Sequence, residues 1–292
     1  MVSKLDVYDG TALTPGQYVL RKLPHITALF WAMKILATTL GETAGDYFSQ
    51  TLGLGTLRAA ELLFAVLLVA LVVQLRAGRF HPALFWFVVV LTSTLGTNIS
   101  DFINYTSGLG QLTGALILGS ALAVVLLIWW RSGQTLNVEN VATLSGEVLF
   151  WIAVVFSNSL GTSTGDYLAS DKGLGVGLLP AALMLTAAML VLLVAHYFTR
   201  INAMLLFWIA FILTRPWGAE VGNILSFNHD RGGLGWGDET ASAILIAGLV
   251  ALVAYQMVEI RRHPLAPLPL PVNRHTGQPQ RPNGKIVTVA DG

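Results

Sequence analysis

One short stretch occurs four times in this chain, and it limits the folds available more than any other feature. Residues 41–55 read GETAGDYFSQTLGLG, 96–110 read GTNISDFINYTSGLG, 161–175 read GTSTGDYLASDKGLG, and 218–235 read GAEVGNILSFNHDRGGLG. Each copy opens on Gly, has a small residue four positions on, continues with Asp or Asn, and closes on Gly-Leu-Gly. A Phe-Trp pair stands eleven residues ahead of each first Gly: Phe30-Trp31, Phe85-Trp86, Phe150-Trp151 and Phe207-Trp208. The first glycines are spaced by 55, 65 and 57 residues. Self-similarity of this length marks one structural unit used in tandem. Function is therefore sought where the four copies converge.

The units are too apolar for a water-soluble repeat. Of 292 residues 54% are hydrophobic and 11% charged, where a soluble domain carries about 25% charged residues. Residues 112–130 and 178–195 contain no charge, close to the roughly 20 apolar residues needed to span hydrocarbon. The reading is an all-α integral membrane protein with eight transmembrane helices, two per unit. An even number of helices per unit inserts every copy the same way up, so the expectation is four tandem parallel hairpins in a pseudo-fourfold bundle. The expected divisions are a cytoplasmic arm over 1–23, repeats over 24–80, 81–140, 141–199 and 200–262, and a tail over 263–292. Pro24 is expected to open the first helix. The tail is dense in proline and reads as cytoplasmic, disordered or polyproline-like.

Twelve of the 17 Lys and Arg residues fall on one side of this arrangement. That bias places both termini in the cytoplasm. The glycine stretches then lie toward the outer leaflet. The Phe-Trp pairs lie near the inner interface, where they are expected to form a belt against lipid. The first twenty-odd residues are polar and carry no cleavable signal pattern, so the first helix is expected to insert as its own signal.

Several chemistries are excluded. The absence of cysteine removes disulfides and thiolate metal sites. No Lys-Ser/Thr follows a glycine loop, so there is no phosphate loop. No basic stripe with interleaved aromatics suggests nucleic acid. Gly235-Trp236-Gly237-Asp238 fits the Gly-x-Gly-Asp signature of intramembrane aspartyl proteases, but Asp238 falls just before a helix and reads as an N-cap. The expectation is that the chain is not an enzyme and uses no cofactor, with a divalent cation entering only as substrate.

What remains is a polar layer. Repeat symmetry arranges Asp46, Asp101, Asp166 and Asn223 as a ring, next to small residues that permit close helix contact. Lys34, Thr38, Glu42 and Asp46 are spaced by four and form one stripe on the first helix. Arg215 is the repeat equivalent of Thr38, and Glu220 lies just beyond it. Charges at that depth are costly without a partner or cavity, so Lys34 and Arg215 are expected beside carboxylates of neighbouring units. The candidate ion-binding set is Glu42, Asp46, Asp101, Asp166, Asn223, Glu220, Thr38 and Asn98. Of these, Glu42, Asp46, Asp101 and Asp166 are the expected metal ligands, for a hard cation such as Mg²⁺, Ca²⁺ or Mn²⁺.

The four copies of Gly-x-x-x-Gly/Ser-Asp/Asn with Gly-Leu-Gly resemble a bacterial family of uncharacterised integral membrane proteins. That resemblance spans about residues 24–261 and implies an eight-helix bundle. Glu42-Thr43-Ala44-Gly45-Asp46 is also similar to the Glu-x-Gly-Asp motif of cation exchangers that move Ca²⁺ or Mn²⁺. It has one residue more between Glu and Gly, and Tyr47 stands where those exchangers have a base. The expected function is secondary transport of a divalent or small cation through a carboxylate-lined centre. Alternatives are proton-linked export of a small organic metabolite, or a non-transporting membrane scaffold or sensor. The expected partners are the lipid bilayer and the small cation or molecule transported, with no nucleic acid.

Overall fold

The computed structural model of the protein describes residues 17–288. Eight long helices follow the repeats in pairs: α1 (Ala28–Asp46), α2 (Thr56–Arg76), α3 (Pro82–Asp101), α4 (Gln111–Arg131), α5 (Leu144–Ala169), α6 (Leu178–Phe198), α7 (Ala203–Ser226) and α8 (Gly237–Arg262). Side-chain caps set several starts. Thr27 accepts from the Phe30 amide at 3.3 Å, so α1 begins at Ala28 and not at Pro24. Thr143 and Asn202 cap α5 and α7 in the same manner, each satisfying an otherwise unpaired amide of the first turn. The Gly-Leu-Gly turns reverse the chain. In the first two copies both glycines take positive φ, Gly53 and Gly55, then Gly108 and Gly110. In the last two copies the positive pair shifts by two residues, to Gly175 and Gly177, then Gly235 and Gly237.

Helices α2 to α8 are each long and apolar enough to cross a membrane, and the chain is a multi-pass membrane protein. The sequence led to eight such spans. The eighth, α1, carries Lys34, Glu42 and Asp46, all buried. It tolerates them because α3, α7 and α8 enclose it.

The first helices of the four units form a closed ring: α1 packs on α3, α3 on α5, α5 on α7, and α7 back on α1. Glycine makes each seam. A Cβ built at Gly41 would stand 2.1 Å from Ser93 Oγ, at Gly96 2.8 Å from Asn158 Cβ, at Gly161 2.4 Å from Arg215 Cγ, and at Gly218 2.6 Å from Thr38 Oγ1. In all four seams the partner lies three residues before the first Gly of the neighbouring copy. The second helix of each unit does not pack chiefly on the first, as the hairpin expectation had it. Instead α2 lies on α3, α4 on α5, α6 on α7, and α8 on α1. Each unit thus reaches over the seam and covers its neighbour. Phe64, Val69, Leu116, Leu190, Val191 and Val250 stand exposed on these outer helices, as surfaces facing hydrocarbon do.

The Phe-Trp pairs are not a lipid-facing belt. Phe30, Phe85, Trp86, Phe150, Trp151 and Trp208 are all buried. Their rings meet across the seams: Phe30 with Trp86 at 5.6 Å, Phe85 with Trp151 at 5.5 Å, and Trp31 with Phe207 at 5.7 Å between centroids. Trp129 from α4 links Phe150 to Trp208 and completes the circle. Eleven residues of helix put this aromatic layer about 16 Å from the glycine seams. The pairs face inward because they share a helical face with the glycines, a relation that interface statistics for tryptophan do not capture.

Beyond the aromatic layer the terminal segments form a collar. Strand β1 (Gln17–Val19) pairs antiparallel with β2 (Leu268–Pro269) on one side and β3 (Ile286–Thr288) on the other. The tail expected to be disordered is therefore paired, with Leu268 and Val287 buried. Its proline density does not prevent this, because the strands it forms are two and three residues long and lie at the sheet's edges, where proline is tolerated. Of the expected arm and tail, residues 1–16 and 289–292 lie outside the described residues. Lys22 Nζ donates to Glu147 Oε2 at 2.5 Å and to the Leu75 carbonyl at 3.0 Å, while Asn283 Nδ2 donates to the same Glu147 oxygen at 2.7 Å. Burial holds the Lys22 ammonium below the usual lysine value, and Glu147 pulls it back up. Since the chain has no cysteine, the collar can be tested by cross-linking. Cysteines at Val19 and Leu268, paired residues in the sheet, are expected to oxidise to a disulfide, because antiparallel partners stand within disulfide reach. Failure to form a bond in mild oxidant, scored by mass spectrometry after proteolysis, would mean the tail does not dock.

Candidate functional site

Repeat-equivalent positions meet at the centre of the ring. The residue after each first Gly is Glu42, Thr97, Thr162 or Ala219. Glu42 Oε2 accepts from Thr97 Oγ1 at 3.1 Å, Thr162 Oγ1 at 3.4 Å and Arg215 Nη2 at 3.1 Å. Arg215 Nη2 also donates to Thr97 Oγ1 and to the Ser93 carbonyl, and Nη1 donates to the Thr38 carbonyl. Four copies thus supply groups to one ion pair, in which Arg215 is 0% and Glu42 3% exposed. Pro216 follows Arg215 inside α7. Having no N–H, it leaves the Ile212 carbonyl without its helical partner.

The other expected base behaves differently. Lys34 is equally buried, but its Nζ meets Asn158 Oδ1 at 3.4 Å and lies 4.1 Å from the centre of the Phe211 ring. It has a cation–π contact and an amide where a carboxylate was expected. Two further candidates act in packing. Thr38 Oγ1 bonds the carbonyls of Lys34, Ile35 and Thr214. Asn98 Nδ2 bonds those of Gly45 and Thr94, although its Oδ1 is unpartnered.

Toward the Gly-Leu-Gly end the ring carries a set of acidic residues, its acidic mouth. Asp46 and Asp101 are buried and Asp166 is half-buried. Asp46 Oδ1 accepts from Gln50 Nε2 at 2.8 Å, and Asp166 Oδ2 accepts from the Tyr105 hydroxyl at 2.9 Å. Gln111 Nε2 in turn donates to that hydroxyl. Asp238 is not an N-cap: Trp236 holds that position, and Asp238 sits in the first turn of α8 with Oδ2 accepting from Thr51 Oγ1. Asp46 lies within Coulombic range of Glu42, Asp166 and Asp238, and Asp101 within range of Asp46, Asp166 and Glu42.

These carboxylates share a field but do not form a coordination sphere. Among the described residues no three of His, Asp and Glu come close enough together to hold a metal ion. The expected metal set of Glu42, Asp46, Asp101 and Asp166 is therefore not assembled. Glu42 is occupied by Arg215 and two threonines, and Asp46 and Asp166 are each held by a side chain of the mouth.

Glu220 is placed unlike the rest. It is fully buried beside Gly165, whose built Cβ would lie 2.9 Å from Glu220 Oε1, and neither of its oxygens has a hydrogen-bond partner. Asn223 Oδ1, one turn further along α7, is also unpartnered. Thr97, Phe211, Tyr105, Gln111 and Asp238 join the site although they were not among its expected members. Thr97 and Thr162 had a legible signal, since both align with Glu42. Tyr105 and Gln111 had none, because Tyr105 meets Asp166 across a seam and Gln111 bonds both Tyr105 and Ser170 of the next unit.

Comparison with known proteins adds one finding. Residues 29–80, 84–135, 149–202 and 206–261 each match the model of a family described as Repeat of Unknown Function (DUF347). No curated protein and no solved structure matches the chain.

Proposed function

Because the chain belongs to the DUF347 repeat family, whose description carries no activity, we propose from its own geometry that it is a secondary transporter of a small cation. In this reading all eight helices cross a bacterial inner membrane, the four units run parallel about an axis along the membrane normal, and both termini are cytoplasmic. The observation that carries the reading is the Arg215–Glu42 pair sealed beneath an acidic mouth.

Helix adhesion does not account for that pair. The glycine seams already supply close contact, while each charge near a helix centre costs about 2.5–3.5 kcal/mol on insertion scales. Arg215 behaves as a tethered cation that occupies Glu42 in the closed state. A cation drawn into the mouth by Asp46, Asp101 and Asp166 competes for the same carboxylate, and displacing Arg215 loosens the α1–α7 seam next to Pro216. The aromatic layer closes the path on the collar side. Carboxylates that attract without forming a rigid cage suit a cargo that must leave again. The cation is cargo, and no resident cofactor is required.

Purified protein in proteoliposomes is expected to move at least one of Mn²⁺, Ca²⁺, Mg²⁺, Na⁺ or K⁺ down an imposed gradient. Asp46→Asn combined with Asp101→Asn should slow that flux roughly tenfold, in line with the loss of one to two kcal/mol of field at the mouth. Flux unchanged in the double variant, or absent in the wild type under every ion and pH gradient, would overturn the reading. Movement of an organic metabolite in place of cations would favour proton-linked export. Orientation has its own check: a cysteine at exposed Lys172 should react with an impermeant maleimide outside cells, and one at Arg76 should not.

A further inference from the structure

We propose that Glu220 takes up and releases the coupling proton, reached from the acidic mouth past Ser226 and Asn223. This rests on the transport reading above and assigns it a coupling ion. Three side chains of α7, spaced by three residues, run from the middle of the ring to the end of the helix. Glu220 is 0% exposed, and Asn223 and Ser226 are 5% each. All of them leave side-chain oxygens without a partner: both of Glu220, Oδ1 of Asn223 and Oγ of Ser226. Elsewhere on α7, among the described residues, only Arg215 Nε is a buried side-chain polar atom without a partner.

The groups around Glu220 decide which ion it takes. Asp166 comes from α5 and Glu42 from α1, both within Coulombic range. Along α6 the only ionisable side chains are His196 and Tyr197 in its last turn, and α8 places Asp238 and Glu239 in its first turn and Glu259, Arg261 and Arg262 at its far end. On α7 itself, Arg215 has its Nη2 committed to Glu42, Thr97 and Ser93. Glu220 thus faces acids and has no cation or N–H donor on either oxygen. An ionised carboxylate so placed is strongly disfavoured, whereas the protonated acid is neutral and carries its own donor. Gly165 backs Oε1 closely, since a Cβ built there would stand 2.9 Å from it, and a proton, unlike a hydrated metal ion, needs no added space on that side. Ionisation of Glu220 adds a negative charge next to Glu42 and strengthens the hold on an incoming cation. Protonation weakens it. This links cation binding to proton release.

Two measurements test this. Infrared difference spectra of the detergent-purified protein across a pH titration are expected to show a protonated-carboxyl band that titrates and is missing in Glu220→Gln. In proteoliposomes, Glu220→Gln, fixed in the neutral form, is expected to show cation counterflow at equal pH with a weakened and pH-independent cation affinity, and to lose cation-driven proton movement at least tenfold. Glu220→Asp should retain both, with a displaced pH profile, and it serves as the folded comparison if Glu220→Gln is unstable. A band unchanged in Glu220→Gln would overturn the assignment. So would wild-type proton movement in that variant, or in its absence an Asp variant with the wild-type band and pH profile. No cation flux in the wild type would remove the transport reading and the coupling role together, while the infrared band still reports whether Glu220 exchanges protons.

Discussion

Valine at Gly41 is expected to break the inner ring, whereas alanine at Gly248 leaves the protein intact. The built Cβ of Gly41 meets Ser93 Oγ at 2.1 Å, Ser93 Cβ at 2.4 Å and the Ser93 backbone carbon at 2.9 Å. A serine hydroxyl can rotate away, but a backbone carbon cannot. Relief therefore requires α1 and α3 to separate, which also pulls on the Thr97 bonds to Gly41 O and Glu42. Overpacking of a filled core costs about 1–3 kcal/mol and at times more, and the closed ring leaves no free edge to absorb the shift. We expect about 3 kcal/mol, a large part of a typical 5–15 kcal/mol stability. At Gly248 the nearest atom to a built Cβ is Leu36 Cδ1 at 3.8 Å, ordinary contact, and alanine gains up to about 1 kcal/mol of helix propensity. The measurement is thermal unfolding in detergent, followed by monodispersity on size exclusion. Gly41→Ala should fall between the two, and adding Ser93→Gly should recover much of its loss. A Gly41→Val protein as stable as the wild type would show that this seam is not formed.

The ring was legible because glycine spacing is local information. Gly41 and Gly45 fall on one helical face, and no other residue type lets two backbones approach so closely, so four copies of the pattern imply four close seams. The Phe-Trp pairs carried the same periodic signal and were still misjudged. Periodicity says that Phe85 and Trp86 recur, and the depth of tryptophan in membranes suggests an interface, but neither says whether the face looks outward. The exchange of outer helices was not readable either, because a Gly-Leu-Gly turn can place α2 on its own unit or on the next one. The collar depends on pairing between β1 and segments almost a full chain length away, and a proline-rich composition hides such partners. At the centre, Thr97 could have been found by aligning it with Glu42. The orphan oxygens of Glu220 could not, because whether a donor faces them is decided by α1 and α5.

The second large effect concerns Arg215 and Glu42. Arg215→Met leaves the Glu42 carboxylate among Thr97, Thr162 and helix backbone with no counter-charge, and Glu42→Gln leaves the guanidinium in the same position. Breaking one side of a buried pair costs about 3–5 kcal/mol, mostly because the survivor stays charged and desolvated. Removing both charges together abolishes that penalty. The double variant is therefore expected to be more stable than either single variant and within about 2 kcal/mol of the wild type. Methionine keeps much of the arginine stem against Gly161, whose built Cβ meets Arg215 Cγ at 2.4 Å, so the comparison isolates charge from packing. Unfolding in mixed micelles gives the cycle. Single-variant losses that simply add in the double would show that the pair does not form. The same three proteins separate stability from transport: the double variant should fold and reconstitute like the wild type yet move no cation, since it has neither the carboxylate that binds the cargo nor the tethered cation that the cargo displaces. A folded double variant with wild-type flux would place the transport path elsewhere and leave the pair a role in stability alone.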